Sequence, residues 1–519
     1  MTAQKKVIII GSGIGGLATA CILGKAGYSV EVFEKNEQLG GRLSVIEQDG
    51  FRFDMGPSWY LMPDVFEHFF ALIGEKVENH LNLIPLAPSY RIFFKDEVIP
   101  NMQTTPDGST SIIDMYADIE KTVATLDKIE PGAGEKFRDY LKRSEYQYGV
   151  ATDRFMYKNY SSVFDFLTWE MAKEGSKLSV FTKMNSYVSR FFTHDAIKKI
   201  MQYTLVFLGS SPYNTPALYN IMTHVDFNGG VFYPQGGMNE IVQALVNIGK
   251  KHGVVYHVNT PVSQVQTMNG HATGITLENG ELHTADIVVS NGDIHHTEMK
   301  LLTEADRSYS EEYWNTRVLA PSALIMYLGV EGEVPSLSHH NLLFAKDWKK
   351  GFAEIFDTPL WPSDPSLYVC VPSKTDPSVA PKGHENLFVL VPIAANLTYT
   401  EAELDAKTDQ YLELITTHMD IPNLKERIIT KKLFCVKDFE SRYNSLGGTA
   451  LGLAHTMRQT ACFRPDTISK KIDNLYYVGG NTNPGIGVPI CLISAELVYK
   501  RLIGEHTGHP LPTPITETK

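Results

Sequence analysis

Gly11-Ser12-Gly13-Ile14-Gly15-Gly16 is the first stretch of this 519-residue chain whose residue types and spacing serve chemistry. Glycines cannot react; at this spacing they let a backbone approach a ligand. Gly11 permits a tight turn, Gly13 admits a pyrophosphate, and Gly16 lets the following helix pack closely on the preceding strand. Glu34 follows Gly11 by 23 residues, near the ~20 expected of a carboxylate that holds a ribose hydroxyl. A second glycine loop, Leu39-Gly40-Gly41-Arg42, comes next, then Gly50-Phe51-Arg52-Phe53-Asp54-Met55-Gly56-Pro57-Ser58. A nicotinamide dehydrogenase has no evident use for these additions. A larger dinucleotide bearing a flavin does, and Arg42 can offer it a charged donor.

The elements that must position these residues are legible. Lys5 to Ile10 is a β-branched run suited to a strand covered on both faces. Leu17 to about Lys25 reads as a helix ended by Gly27, and Tyr28 to Phe33 as the next strand. Together they form a βαβ unit that aims a helix N-terminus at the phosphates. Further on, residues from about 110 to 225 read as helices, and Gly229 to Gly237 as a turn-rich break. Met238 to Lys251 is an amphipathic helix, and Val254 to Leu282 short strands with a hairpin turn at Asn279-Gly280. Ala285 to Ser290 is a buried strand. Leu475 to Val478 is another, running through Gly479-Gly480 to a last helix over Ile490 to Leu502 with Pro489 in its first turn.

Composition excludes several classes. Hydrophobic content of 43% with 20% charged residues is that of a folded protein. A net charge of −12 argues against a nucleic-acid partner, which needs a basic surface. Five scattered cysteines give neither a disulfide frame nor a zinc pattern, so a reducing compartment is expected. No apolar run approaches the ~20 residues that cross a bilayer, and the N-terminus lacks a signal peptide's apolar stretch. A cytoplasmic protein is expected.

The whole chain resembles the bacterial phytoene desaturases, FAD-dependent carotenoid desaturases within the flavin-containing amine oxidase superfamily. The resemblance rests on VIIIGSGIGGLATACILGKAGYSVEVFEKNEQLGGR, GFRFDMGPS, GGVFYPQGGMNEIVQAL, SLYVCVPSKTDPSVAPKG and LYYVGGNTNPGIGVPICLISAE. It implies an α/β protein with a Rossmann-like FAD-binding domain, a discontinuous mixed α+β substrate domain and a helical, membrane-facing part. The FAD-binding domain would take 1–100, 226–300 and 431–519; the helical region 101–225; the rest of the substrate domain 301–430. The resemblance implies that Gly11, Gly13, Ile14, Gly15, Gly16, Glu34 and Lys35 hold the ADP half, with Val262 meeting the adenine through its backbone. Gly41, Arg42 and Gly56-Pro57-Ser58 would sit near the flavin. Gly480, Asn481, Gly487, Val488 and Pro489 would face the ribityl chain and ring. Asn481 replaces a common acid but can still hydrogen-bond a ribityl or phosphate oxygen; Asn483 replaces a common His, whose role does not carry over.

The implied reaction takes hydride and proton from phytoene, a linear C40 polyene precursor, in successive two-electron steps toward lycopene. A C30 precursor, an amine or porphyrinogen oxidase, and a catalytically idle FAD scaffold remain alternatives. No nucleophile motif is present, and none is needed when the cofactor carries the chemistry; no catalytic side chain is named. Lys142 and Glu145, the counterparts of an Asp and Arg in related desaturases, read better as a solvated ion pair. His295-His296 and His339-His340 lack a third ligand at metal-site spacing and read as exposed loop histidines; no metal is expected. A single dinucleotide fingerprint points to oxygen or a quinone as electron acceptor. An insoluble substrate implies work at a membrane surface. The candidate docking segment is 173–199, six basic residues against two acidic. There Phe181, Met184, Val188, Phe191 and Phe192 share one helical side, opposite Lys183 and Arg190.

Overall fold

The computed structural model describes residues 4–160 and 182–516. Two sheets organise them. The first is fully parallel, in the order Val255–His257, Ser29–Phe33, Lys6–Ile10, Ile287–Ser290, Leu475–Tyr477. Its central strand is buried on both faces because helices Ile14–Lys25, Asn239–Lys251 and Val488–Ile503 cover one side and a smaller core the other. Lys6–Ile10 pairs with Ser29–Phe33 on one flank and Ile287–Ser290 on the other. The loops leaving its C-terminal end therefore meet those leaving Ile287–Ser290, at the topological switch point where open α/β sheets bind ligands.

The second sheet has eight strands, built around the ten-residue antiparallel ladder of Ser322–Glu331 and His384–Ile393. Side-chain alternation splits that ladder between two cores. Leu324, Met326, Leu328 and Val330 pack toward helix Glu401–His418, whereas Ala323, Ile325 and Tyr327 join an aromatic core beneath the helical lobe. A three-stranded antiparallel sheet, Val262–Met268, His271–Leu277 and Leu282–Thr284, flanks the first sheet. Asn279-Gly280 makes one of its turns as expected; the other is Asn269-Gly270, both residues with positive φ.

Several expectations are corrected. Ser111–Met115, inside the region read as helical from 110, is a strand paired with Tyr90–Phe94. That pairing puts residues 90–94 in the eight-stranded sheet, so the first crossing between layers precedes the boundary drawn at 100. The boundary at 431 likewise cuts strand Ile428–Phe434 of the same sheet. The proposed docking stripe is not an outward face. Met184, Val188 and Phe192 are fully buried against Tyr140 and Tyr187, and the helix stops at Val188. The same spacing serves a core-facing turn, and here the core took it. Phe181 lies outside the described residues. Lys142 and Glu145 are exposed on helix Ala133–Arg154 and form no ion pair with each other among the described residues, where Arg143 pairs with Asp139. No described helix is long and apolar enough to cross a membrane.

Candidate active site

The loops of both sheets and the helical lobe enclose one cavity of about 1170 Å³, above the ~300–1,000 Å³ of an ordinary small-molecule site. Its polar end is the switch point. Gly11, Gly13, Ile14 and Gly15 line it, and no side chain caps the first turn of Ile14–Lys25, leaving that turn's N–H groups to the cavity. Gly16 does not line it: a Cβ there would overlap the Gly11 carbonyl, so its lack of a side chain serves helix-on-strand packing. Glu34 is buried at the end of the second strand. Its carboxylate accepts from the Ser12 N–H (2.9 Å) and hydroxyl (2.7 Å) and from the Asn36 backbone and amide, both 2.9 Å.

Lys35 also lines this end, but its ammonium donates to the Ser441 carbonyl (2.6 Å) and Asn444 Oδ1 (3.1 Å). Burial lowers its pKa. Val262 lines the same end from the flanking sheet. Gly41, Arg42 and Gly56-Pro57-Ser58 lie further along. The Arg42 guanidinium rests on the Tyr443 ring (5.0 Å), donates to Ser445 Oγ (2.8 Å), and leaves its buried Nε without a partner. Gly480, Asn481, Gly487, Val488 and Pro489 complete the wall. Helix Val488–Ile503 begins there, again with no side-chain cap and with Pro in its first turn. Asn481 turns aside: its amide donates to Asp293 (2.9 Å) and its Oδ1 accepts from Leu453 N–H (3.3 Å).

The same cavity has an apolar and aromatic lining as well: Ile325, Phe388 and Leu390 from the large sheet, Tyr219, Ile221 and Met222 of the helical lobe, and Trp348, Phe352 and Phe356.

Sequence reasoning missed several wall residues. Asn291-Gly292-Asp293 follows strand Ile287–Ser290, and a Gly-containing turn after a buried parallel strand is the signal that marks it. Asp293 is half-buried, caps the turn bearing His295 and His296, and has its pKa raised by desolvation. His296 is accordingly no exposed loop residue. It lines the polar end, half-buried, and burial, with Lys35 adding, pushes it down to about 4. His339 and His340 are also corrected: both are buried. Cross-strand pairing sets Cys370 opposite His340, and the three possible ligand atoms lie within 4.8 Å of one another. His340 Nδ1 hydrogen-bonds the Tyr368 hydroxyl (2.7 Å) while its ring stacks on Trp59 at 4.2 Å. Tyr368 in turn reaches Ser58 Oγ (2.7 Å) on the cavity wall.

An uncapped helix N-terminus, a buried carboxylate and an orphaned arginine donor along one cavity fit a dinucleotide that carries a larger ring. Residues 14–502 match the family described as flavin containing amine oxidoreductase, and the chain belongs to that family: it is an FAD-dependent oxidoreductase. A solved oxidoreductase from Methanosarcina mazei shares the fold, with TM-score 0.61 at 19% identity over 95% of this chain and 100% of that one. More narrowly, the chain is a carotenoid desaturase. It is 47% identical to the carotenoid 3,4-desaturase of Haloarcula japonica over 96% of this chain and 98% of that one. It is 32% identical to the zeta-carotene-forming phytoene desaturase of Myxococcus xanthus, over 97% and 94%.

Proposed function

We propose that this chain dehydrogenates an acyclic carotenoid, and that the bond taken is C3–C4, near the end of the polyene. The observation that carries this reading is the single cavity of about 1170 Å³, lined both by the glycine-loop residues and by a large apolar and aromatic set. What supports the choice of bond is the 47% identity to a 3,4-desaturase against 32% to a phytoene desaturase. Phytoene desaturation toward lycopene is the second reading, favoured by the latter relative.

The bound FAD supplies the hydride acceptor. In this reading the chain's own residues hold, orient and exclude water. Gly13, Ile14 and Gly15 present the helix N-terminus to the pyrophosphate, Glu34 takes a ribose hydroxyl, and Val262 meets the adenine through its backbone. Arg42 Nε would donate to the flavin half, with Gly41 and Gly56-Pro57-Ser58 bounding it. Gly480 and the Gly487-Val488-Pro489 turn would set the last helix dipole toward the ring, where it would favour negative charge. Lys35 and Asn481 act at one remove, Lys35 through its charge and Asn481 by holding Asp293. The aromatic wall keeps the polyene dry and extended.

When bound, the cofactor would pass its electrons on to oxygen or a quinone, and the substrate would come from the cytoplasmic surface of a membrane. A C40 hydrocarbon exposed to water costs on the order of 30 kcal/mol, at about 0.8 kcal/mol per carbon, so direct withdrawal from a bilayer is the accessible route. The test offers the FAD-loaded protein lycopene or phytoene in liposomes without oxygen. The C3–C4 reading expects lycopene to bleach the flavin and shift its own bands to longer wavelength. Bleaching by phytoene alone overturns it in favour of the second reading.

A further inference from the structure

We propose that His339, His340 and Cys370 form a zinc-binding site, a role separate from the desaturation read above. A ring nitrogen of each histidine and the Cys370 sulfur lie within 4.8 Å of one another, and among the described residues this is the one place where three such side chains converge. All three are buried, and none of them lines the cofactor cavity. No third ligand stands at metal-site spacing in the sequence; strand pairing brings it from 30 residues on. Antiparallel pairing of His340–Phe344 with Leu367–Cys370 sets Cys370 directly opposite His340.

Both imidazoles are held as ligands are held. His339 Nδ1 hydrogen-bonds Thr375 Oγ1 (2.7 Å), and His340 Nδ1 hydrogen-bonds the Tyr368 hydroxyl (2.7 Å) with Cys370 Sγ 3.5 Å away. Nε2 of each ring is buried without a hydrogen-bond partner. Buried polar nitrogens almost always have one. A ring fixed through one nitrogen while the other stays open is the arrangement of a metal-bound histidine. Neither ring can swing out to water. Trp59 stacks on His340 at 4.2 Å, Tyr233 lies 4.7 Å from His339, and the two imidazoles meet at 4.5 Å, nearly perpendicular. Cys370 also borders a void of about 10 Å³ shared with Ser58, Asp54 and Tyr233, close to the room a water needs beside the sulfur.

Two imidazoles and one thiolate suit zinc. It takes nitrogen at about 2.0–2.1 Å and sulfur at about 2.3 Å, and keeps a fourth position for water where a protein supplies three ligands. Bonds of that length set ligand atoms about 3.5 Å apart, so the cluster closes by about 1 Å around the ion. Burial keeps both imidazoles neutral, with His339 down to about 3, and pushes the Cys370 thiol up to about 12. The neutral imidazole is the form that binds; the thiol proton leaves to solvent as the zinc–sulfur bond forms. Dication and thiolate then leave one net positive charge. Asp54 and Asp376 stand near enough to act on Cys370 and His339 and to balance it. Backbone N–H groups of Met238 (2.8 Å) and Gly236 (2.7 Å) fix those two carboxylates. Zinc here clips the two strands to the cavity wall, because Tyr368 joins His340 to Ser58.

The experiment expresses the full chain in zinc-supplemented medium, since so enclosed a site fills as the chain folds, and passes the FAD-loaded protein over chelating resin. Elemental mass spectrometry should find about one zinc per chain. X-ray absorption at the zinc edge should fit one sulfur at about 2.3 Å with nitrogen or oxygen at about 2.0–2.1 Å. Cys370→Ala and His340→Ala should hold about tenfold less zinc or lower, and zinc-supplemented growth should raise the unfolding midpoint of wild type but not of either variant. Wild type without zinc above the buffer blank, a zinc shell that lacks sulfur, or equal zinc in Cys370→Ala overturns the assignment. Where a variant fails to fold, the wild-type zinc shell decides alone, because no other described cysteine belongs to such a group.

Discussion

Replacing Arg464 with Met should loosen the cavity's central seam. The guanidinium makes four hydrogen bonds to carbonyls of two loops, and bonds to a charged group are worth about 1.5–3 kcal/mol each. Against that stands the burial of a cation with no carboxylate beside it. Desolvation brings its pKa from 12.5 to about 10, a penalty on the order of 3 kcal/mol at about 1.4 kcal/mol per unit. Removing one side of such a buried contact set leaves a loss of about 3–5 kcal/mol. Unfolding entropy near 2.1 cal/mol/K per residue over 519 residues makes each kcal/mol about 1 °C. The unfolding midpoint, followed by flavin fluorescence and circular dichroism, should therefore fall by roughly 3–5 °C, with weaker FAD retention. Arg464→Lys keeps the charge but not the fork and should fall between. An unchanged midpoint and full FAD content in Arg464→Met would refute the view that this residue ties the two loops together.

Three further outcomes are expected. Burial raises Asp226 to about 7, although Tyr90 and Tyr203 donate to it. Between its unfolded value near 4 and about 7 the folded state holds the extra proton, so stability falls as pH rises through that window. The span is on the order of 4 kcal/mol, and denaturant titrations of Asp226→Asn should lack this component. Glu34→Gln removes the charge that accepts the Ser12 and Asn36 donors and faces the ribose; FAD titration should show binding weaker by roughly tenfold to a hundredfold. Phe192→Ala opens a void in the aromatic core and should cost about 3–5 kcal/mol in denaturant unfolding; a neutral result would return that residue to the surface.

Local pattern was enough for the parts of this protein that depend on neighbours in sequence. The βαβ unit from Lys6 to Phe33, the glycine loop between its first strand and helix, and the helix that Pro489 opens all appear within about three residues of where their sequences put them. Strand burial, helix caps and tight turns are decided over a few residues, so their signatures are short. Even the cofactor class follows, because a dinucleotide is held largely by backbone atoms at the end of such a unit.

What depends on contacts between distant segments needed the fold. Phe192 and Val188 carry the spacing of a surface stripe, and only their burial in the aromatic core, where Tyr140 meets Phe192 edge-on, makes them core. His339 and His340 look like a polar loop until strand pairing sets His340 opposite Cys370 and under Trp59, with His339 packed on Tyr233. Asp293, Arg464 and His455 carry no motif at all. They become wall residues because Ile287–Ser290 lies beside the central strand and because a loop near residue 455 is stapled to the turn before the last helix. A buried charge or imidazole is recognisable only by what surrounds it, and chain folding alone supplies those surroundings.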